Sequence, residues 1–221
     1  MWDAETGAEL LTLSGHEHKV NRAVWRPDGS RILTSNWDGT ARVWDAETGA
    51  ELLTLSDPEG SLWQAKWSPD GSRILTTGDN NVVRAWDAET GAELVAVSDH
   101  ERPIWQAEWS PDGSCILAAD YEGTVCIWDT ATGAELLTLS GQERPIRQAE
   151  WSWDGSRTLI VTQDGTAQVW DTETGDELLT LLAREGEIWQ AKWSPDGSCT
   201  LTACYDGVAR VQDAVTGAEL L

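Results

Sequence analysis

The chain contains no phenylalanine, one methionine and two tyrosines, so its interior cannot be the usual mixture of aromatic and flexible apolar side chains. No window sustains helical periodicity over three turns, which argues against a helical bundle. No apolar run approaches the ~20 residues of a membrane span. The opening Met1-Trp2-Asp3-Ala4-Glu5 is acidic, unlike the start of a secretory signal. A soluble chain is the expectation. Basic residues are also few: 15 Lys and Arg stand against 38 Asp and Glu, for a net charge of −23. Phosphate binding rests on Lys and Arg, so DNA, RNA and anionic membrane are disfavoured as partners. His16, His18 and His100 do not converge with Cys115, Cys126, Cys199 and Cys204, and the spacing fits no zinc signature. Neither a metal nor another cofactor is expected. Cys199 and Cys204 lie five apart near one strand and should face opposite sides. Cys115 should pair opposite a residue near Trp128. Free thiols in a reducing, cytoplasmic compartment are the simplest account.

What the chain does have is tryptophan, 15 in all, and a period of 42 residues. Trp-Asp falls at Trp2, Trp44, Trp86, Trp128 and Trp170, with Gln212-Asp213 as a worn copy. Pro-Asp-Gly-Ser begins at Pro27, Pro69, Pro111 and Pro195, and Trp153 replaces the proline in the fourth copy. Thr-Gly-Ala-Glu-Leu begins at Thr6, Thr48, Thr90, Thr132 and Thr216, and reads Thr-Gly-Asp-Glu-Leu from Thr174. Three phrases locked to one period define a repeat architecture. Within the first unit the apolar-rich runs are Val20 to Trp25, Arg31 to Ser35, Thr40 to Trp44 and Glu51 to Leu55. They are separated by turn signals with Pro-Asp-Gly, Asp-Gly and Thr-Gly, which predicts four short strands per unit and an all-β chain.

These motifs resemble the WD-repeat β-propeller family, and the resemblance covers essentially all 221 residues. Trp-Asp and Asp-Gly carry it; Gly-His survives only as Gly15-His16, with Asp99-His100 as an echo. The resemblance implies a single propeller domain over 1–221, built of five four-stranded antiparallel blades around a central channel. It also implies a hydrogen-bonded cluster of His, Ser or Thr, turn Asp and Trp in each blade. The first blade offers all four, as His16, Thr34, Asp38 and Trp44, while the third has His100, Ala118, Glu122 and Trp128. The other blades are then expected to depend on packing against their neighbours. One core column of the innermost strand, Trp25, Trp67, Trp109, Trp151 and Trp193, should supply much of that packing.

More than half of the acids fall in the two turn types expected at the bottom of the blades, where a solvated, solubilising face is the simple reading. The copies differ at the top. Variable positions there are Asn21, Trp63, Trp105, Arg147 and Trp189 on the innermost strand, and Trp37, Asp79, Tyr121, Gln163 and Tyr205 in a turn, with Lys19, Arg102, Arg144 and Arg184 in the loops leading in. In the family this is where partners dock, and Trp, Tyr and Arg dominate interface hot spots. The expected site therefore comprises Trp37, Trp63, Trp105, Tyr121, Arg147, Trp189 and Tyr205, presented to a protein or peptide partner.

Two layers should line the channel: Arg22, Gln64, Gln106, Gln148 and Gln190, then Val24, Lys66, Glu108, Glu150 and Lys192. Paired carboxylates suggest glycoside chemistry, but Lys66 beside Glu108 and Lys192 beside Glu150 make ion pairs the economical explanation. No Ser-His-Asp set or phosphate loop appears, and the chain is read as a non-enzymatic interaction scaffold. The alternative is a five-bladed lectin- or glycosidase-like carbohydrate binder whose rim Trp stack on sugars. Five blades depart from the seven most common in the family, leaving three readings open. The N-terminal strand, Glu9 to Leu13, completes the last blade; or an open arc pairs with another copy of itself; or the chain belongs to a longer array.

Overall fold

A computed structural model describes residues 1–57, 60–98, 104–139, 144–181 and 187–220. His100, Arg102 and Arg184 lie outside the described residues. Two compact units make up the chain, Met1–Ser98 and Asp99–Leu221. Every named element is a β-strand and, among the described residues, no helix is long and apolar enough to cross a membrane.

The first unit carries two antiparallel blades. Blade 1 is β1 (Val20–Trp25), β2 (Arg31–Asn36), β3 (Thr40–Asp45) and β4 (Glu51–Ser56); blade 2 is β5 (Leu62–Trp67), β6 (Arg73–Gly78), β7 (Val83–Asp87) and β8 (Glu93–Val97). The second unit carries three. Blade 3 is β9 (Ile104–Trp109), β10 (Cys115–Asp120), β11 (Val125–Asp129) and β12 (Glu135–Leu139); blade 4 is β13 (Ile146–Trp151), β14 (Arg157–Thr162), β15 (Ala167–Asp171) and β16 (Glu177–Leu181). Blade 5 is β17 (Ile188–Trp193), β18 (Cys199–Cys204) and β19 (Ala209–Asp213). Strands follow one another in sequence order across each sheet. The turns close where the sequence places Gly: the Gly29 amide donates to the Arg26 carbonyl at 2.8 Å.

The core lies between blades as much as within them. Leu33, Val43 and Leu55 of blade 1 pack with Leu62, Ala65, Trp67 and Trp86 of blade 2. In the second unit Leu117, Val125 and Leu139 meet Ile146 and Trp170, and Leu159, Val161 and Leu181 meet Ile188, Ala191 and Cys204. Fully burying one such aliphatic side chain stabilises by roughly 1.5–3 kcal/mol. The Thr-Gly phrase of the repeat belongs to the same junctions. Gly91, Gly175 and Gly217 take positive φ, and a Cβ there would come within 2.8–2.9 Å of Leu53, Leu137 and Leu179 on the outer strand of the preceding blade. Glycine is required both by the backbone and by the close approach.

The tryptophan column is less uniform than its sequence. Trp67 and Trp109 are buried and Trp151 and Trp193 half-buried, but Trp25 is 52% exposed. Trp67 is covered by Leu33 and Leu55 of the blade before it; Trp25 stands on the first blade's corresponding face without that cover. The Trp-Asp tryptophans Trp44, Trp86, Trp128 and Trp170 are all buried. All four cysteines are free, and Cys115 pairs opposite Asp129, next to Trp128.

The N-terminal segment forms the outer part of a blade by itself. Trp2 bridges to Glu9 as Trp44 does to Glu51, and Leu11 sits 2.8 Å from where a Cβ on Gly49 would be. The outer edge of blade 5 begins with its own Glu219, bridged to Gln212, and with Leu220 donating to the Val211 carbonyl. In one of the three readings of the chain's ends Glu9 to Leu13 fills this position; here the C-terminal copy itself begins the edge.

Candidate interaction site

At the start of every innermost strand the register slips by one residue. Val20 pairs with Asn36 and Arg22 with Ser35, leaving Asn21 opposite no residue. The same slip sets aside Trp63, Trp105, Arg147 and Trp189. These are the variable positions of the sequence, and a β-bulge is the local device that re-aims a side chain at the edge of a sheet. The repeat therefore keeps one backbone irregularity and changes the side chain it carries.

Each unit presents its own part of this rim. In the first, Lys19 Nζ lies 5.3 Å from the ring centroid of Trp37, which is 55% exposed, and the Asn21 amide donates to the Leu62 carbonyl of the next blade at 2.9 Å. Trp63 is half-buried. In the second, the Trp105 and Tyr121 rings lie 6.3 Å apart, tilted by 38°. The Arg147 guanidinium reaches from blade 4 over the Tyr205 ring of blade 5, at 5.5 Å from its centroid and 3.5 Å from its hydroxyl. Trp189 and Tyr205 are exposed. Pairing bulge residue with turn residue thus happens within a blade for Trp105–Tyr121 and across blades for Arg147–Tyr205. Cation–π contacts of this kind hold the ring in place without hiding its outer face.

The expected channel layers have a more structural role. Gln106 Nε2 donates to the Ala149 carbonyl at 2.8 Å, and the Ala149 amide donates back to Gln106 Oε1 at 3.1 Å. Gln148 makes the same two bonds to Ala191. Each glutamine thus staples its blade to the backbone of the next. The signal was in the sequence, because Gln recurs at 64, 106, 148 and 190. Lys192 pairs with Glu150, whose other oxygen accepts the Trp193 amide at 3.3 Å. A carboxylate so engaged is a blade-to-blade clamp rather than a free acid or base. Among the described residues no group of three or more His, Cys, Asp or Glu could hold a metal ion.

The polar cluster expected in blade 1 is present. His16 Nε2 lies 2.7 Å from Thr34 Oγ1, His16 Nδ1 lies 3.3 Å from Asp38 Oδ2, and Trp44 Nε1 donates to Thr34 Oγ1 at 2.8 Å. Blades 2 and 5 do not rest on packing alone. Blade 2 keeps the Trp86 to Thr76 bond and adds Asp57, buried and held by Arg84 at 2.6 Å and Asn80 at 2.9 Å. Blade 5 places Arg210 between Asp206, at 2.8 Å, and Cys204 Sγ, at 3.2 Å. Both use an arginine at one repeat position, Arg84 and Arg210, which sequence reading did not single out; the acids that meet it, Asp57 and Asp206, come from different positions of the repeat.

The bottom acids are turn components. Asp45 Oδ1 accepts the Thr48 hydroxyl and amide, both at 2.7 Å, and the Glu47 amide at 3.1 Å. Those bonds, the Thr48 hydroxyl foremost, hold the carboxyl below its usual range. The same device recurs at Asp3, Asp87, Asp129 and Asp213. In the other turn, Asp70 and Asp196 are lowered to about 2, chiefly by the hydroxyls of Ser68 and Ser194.

Blades of consecutive antiparallel strands, repeated along the chain with one constant bulge, are those of a β-propeller repeat protein. Five successive matches to the WD domain, G-beta repeat model cover residues 7–45, 49–87, 91–129, 133–171 and 175–213, and the chain belongs to that family. Among curated relatives it is similar to Coronin-7 of Mus musculus, 44% identical over 43 residues, and to the Periodic tryptophan protein 2 homolog of Neurospora crassa, 40% identical over 43 residues. Each match takes in 20% of this chain and 5% of the relative, so the chain spans a small part of those proteins' length.

Proposed function

We propose that this chain is a non-enzymatic protein-interaction scaffold that engages a protein or peptide through Trp37, Trp63, Trp105, Tyr121, Arg147, Trp189 and Tyr205. The observation that carries this reading is the bulge that sets aside Asn21, Trp63, Trp105, Arg147 and Trp189, three residue types over five blades, while the frame stays constant. A binder of a repeated sugar would be expected to reuse one set of contacts in each copy. A rim whose chemistry changes from Asn to Trp to Arg suits an irregular protein surface instead. Exposed aromatic rings steadied by Lys19 and Arg147 are rigid anchors that lose little entropy on binding. Family membership supports the scaffold reading.

Panning a random peptide library against the chain tests this. Enriched peptides should lose binding when Trp105→Ser and Arg147→Ser are combined, with the fold retained by circular dichroism. Peptides that ignore both substitutions and all other rim changes would refute the rim as the docking site. Retention on a glycan array, abolished by Trp189→Ser, would favour the carbohydrate reading.

A further inference from the structure

A groove of about 450 Å³ lies on the bottom of the second unit between blades 3 and 4, remote in each blade from the bulged end of the inner strand. Its walls include Trp151, Trp153, Leu136, Cys115 and Asp112. The junction between blades 1 and 2 shows what the same space holds when it is filled. There the Arg26 guanidinium lies 5.8 Å from the Trp67 ring centroid, with Asp28 at 3.7 Å and Glu89 at 3.6 Å. Arg31 adds a second guanidinium, 2.8 Å from Glu89. Arg26 also lies against Gly71, its Nε 2.8 Å from where a Cβ would stand.

Two repeats further along the aromatic and acidic members of this arrangement are kept and the cations are gone. Trp67 becomes Trp151, Asp28 becomes Asp112 and Glu89 becomes Glu173, but Arg26 becomes Ser110 and Arg31 becomes Cys115. Among the described residues no Lys or Arg pairs with Asp112 or Glu173. Trp67, beneath Arg26, is 8% exposed, whereas Trp151 is only half-buried. The copy also departs from the repeat at the groove's edge: Trp153 takes the place of the proline and is 75% exposed. Opposite it, Leu136 is the extra residue of a bulge in β12 and is 56% exposed. The junction between blades 4 and 5 lacks this chemistry, because Val215 occupies the position of Glu89 and Arg157 that of Arg31.

We propose that this groove is a binding site for an arginine side chain of a partner segment, which takes the place that Arg26 occupies at the first junction. The guanidinium lies over Trp151 and is neutralised by Asp112 in the wall and by Glu173, which follows the wall residue Thr172 and holds the repeat position of Glu89, while apolar neighbours of the arginine rest on Trp153 and Leu136. A planar, weakly hydrated cation suits an aromatic floor with carboxylates at its margin better than a compact ammonium does. The Ser110 hydroxyl donates to Asp112 at 2.6 Å and holds that carboxyl below its usual range, which favours the ionised form. The site is independent of the rim reading.

Fluorescence polarisation at physiological salt, with a labelled pentapeptide carrying one central arginine between leucines, tests the proposal. Replacing that arginine by citrulline, which keeps the shape and removes the charge, should weaken binding by roughly tenfold or more. Ser110→Arg should abolish binding by restoring the internal occupant. Asp112→Asn with Glu173→Gln should weaken it as citrulline does, which covers the case in which Ser110→Arg fails to fold. The arginine peptide should also slow alkylation of Cys115 and leave Cys199 unaffected. Trp105→Ser at the rim should leave binding unchanged, which separates this site from the proposed rim function. Equal binding of the arginine and citrulline peptides, or undiminished binding to a folded Ser110→Arg chain, overturns the proposal.

Discussion

Replacing Thr34 by Val removes one hydroxyl and little volume, yet that hydroxyl is the middle of a relay. The arrangement that satisfies every group has Asp38 accepting from His16 Nδ1, His16 Nε2 accepting from Thr34, and Thr34 accepting from Trp44 Nε1. Thr34 is 4% and Trp44 2% exposed, so water cannot take over. Leaving one buried polar group unmatched costs ~1–3 kcal/mol. Thr34→Val strands two, the Trp44 indole N–H and His16 Nε2, and should cost ~2–6 kcal/mol. In blade 2 only the Trp86 indole depends on Thr76, at 2.8 Å, so Thr76→Val should cost ~1–3 kcal/mol. Blade 4 supplies a natural reference: Ile160 occupies this position, and Trp170 Nε1 is buried with no hydrogen-bond partner. Ile160→Thr should therefore be near neutral, the new acceptor offsetting the ~1.6 kcal/mol of burial lost with the ethyl group that the hydroxyl replaces. Urea unfolding followed by tryptophan fluorescence and far-UV dichroism would read these as midpoint shifts at constant slope. The reasoning fails if Thr76→Val costs as much as Thr34→Val, or if both cost less than ~0.5 kcal/mol.

Trp109→Ala should cost ~3–5 kcal/mol, the range for deleting a buried large aromatic, because Trp109 is 7% exposed; a midpoint shift equivalent to less than about 1 kcal/mol would show that this position is not core. The turn aspartates set the acid limit. Their folded pKa values lie below the usual ~3.9, down to about 2 at Asp70 and Asp196. Their stabilisation is thus complete above the ordinary value and is lost as pH falls from there through about 2. Urea midpoints measured on that acid limb should fall steadily, and Ser68→Ala with Ser194→Ala should move the limb to higher pH. A flat profile through the same interval would contradict the hydrogen-bonded turns.

The strands were legible in the sequence because strand and turn signals are local. Alternation between Val20 and Trp25, Gly at the turns and Asp before Thr act over two to four residues, and the observed bounds of β1 coincide with the expected ones. The blade 1 cluster was legible too, since its four residues sit at fixed offsets within one repeat. The repeat period likewise determined that blades would be equivalent in backbone. It could not determine how equivalent residues differ in surroundings, which depends on side chains that arrive from the neighbouring blade. Trp25 and Trp67 hold the same repeat position, yet one is exposed and the other covered by Leu33 and Leu55. The rim bulge was hidden because a one-residue slip is a property of two paired strands, not of either alone. The Asp57–Arg84 pair and the Gln106 staple to Ala149 join residues 27 and 43 apart. The groove beside Trp153 exists because Ser110 and Cys115 from one blade fail to fill what Trp151 and Thr172 from the next leave open. Such complementarity is decided only when two blades meet, because packing and charge pairing act over a few ångströms in space whatever the separation along the chain.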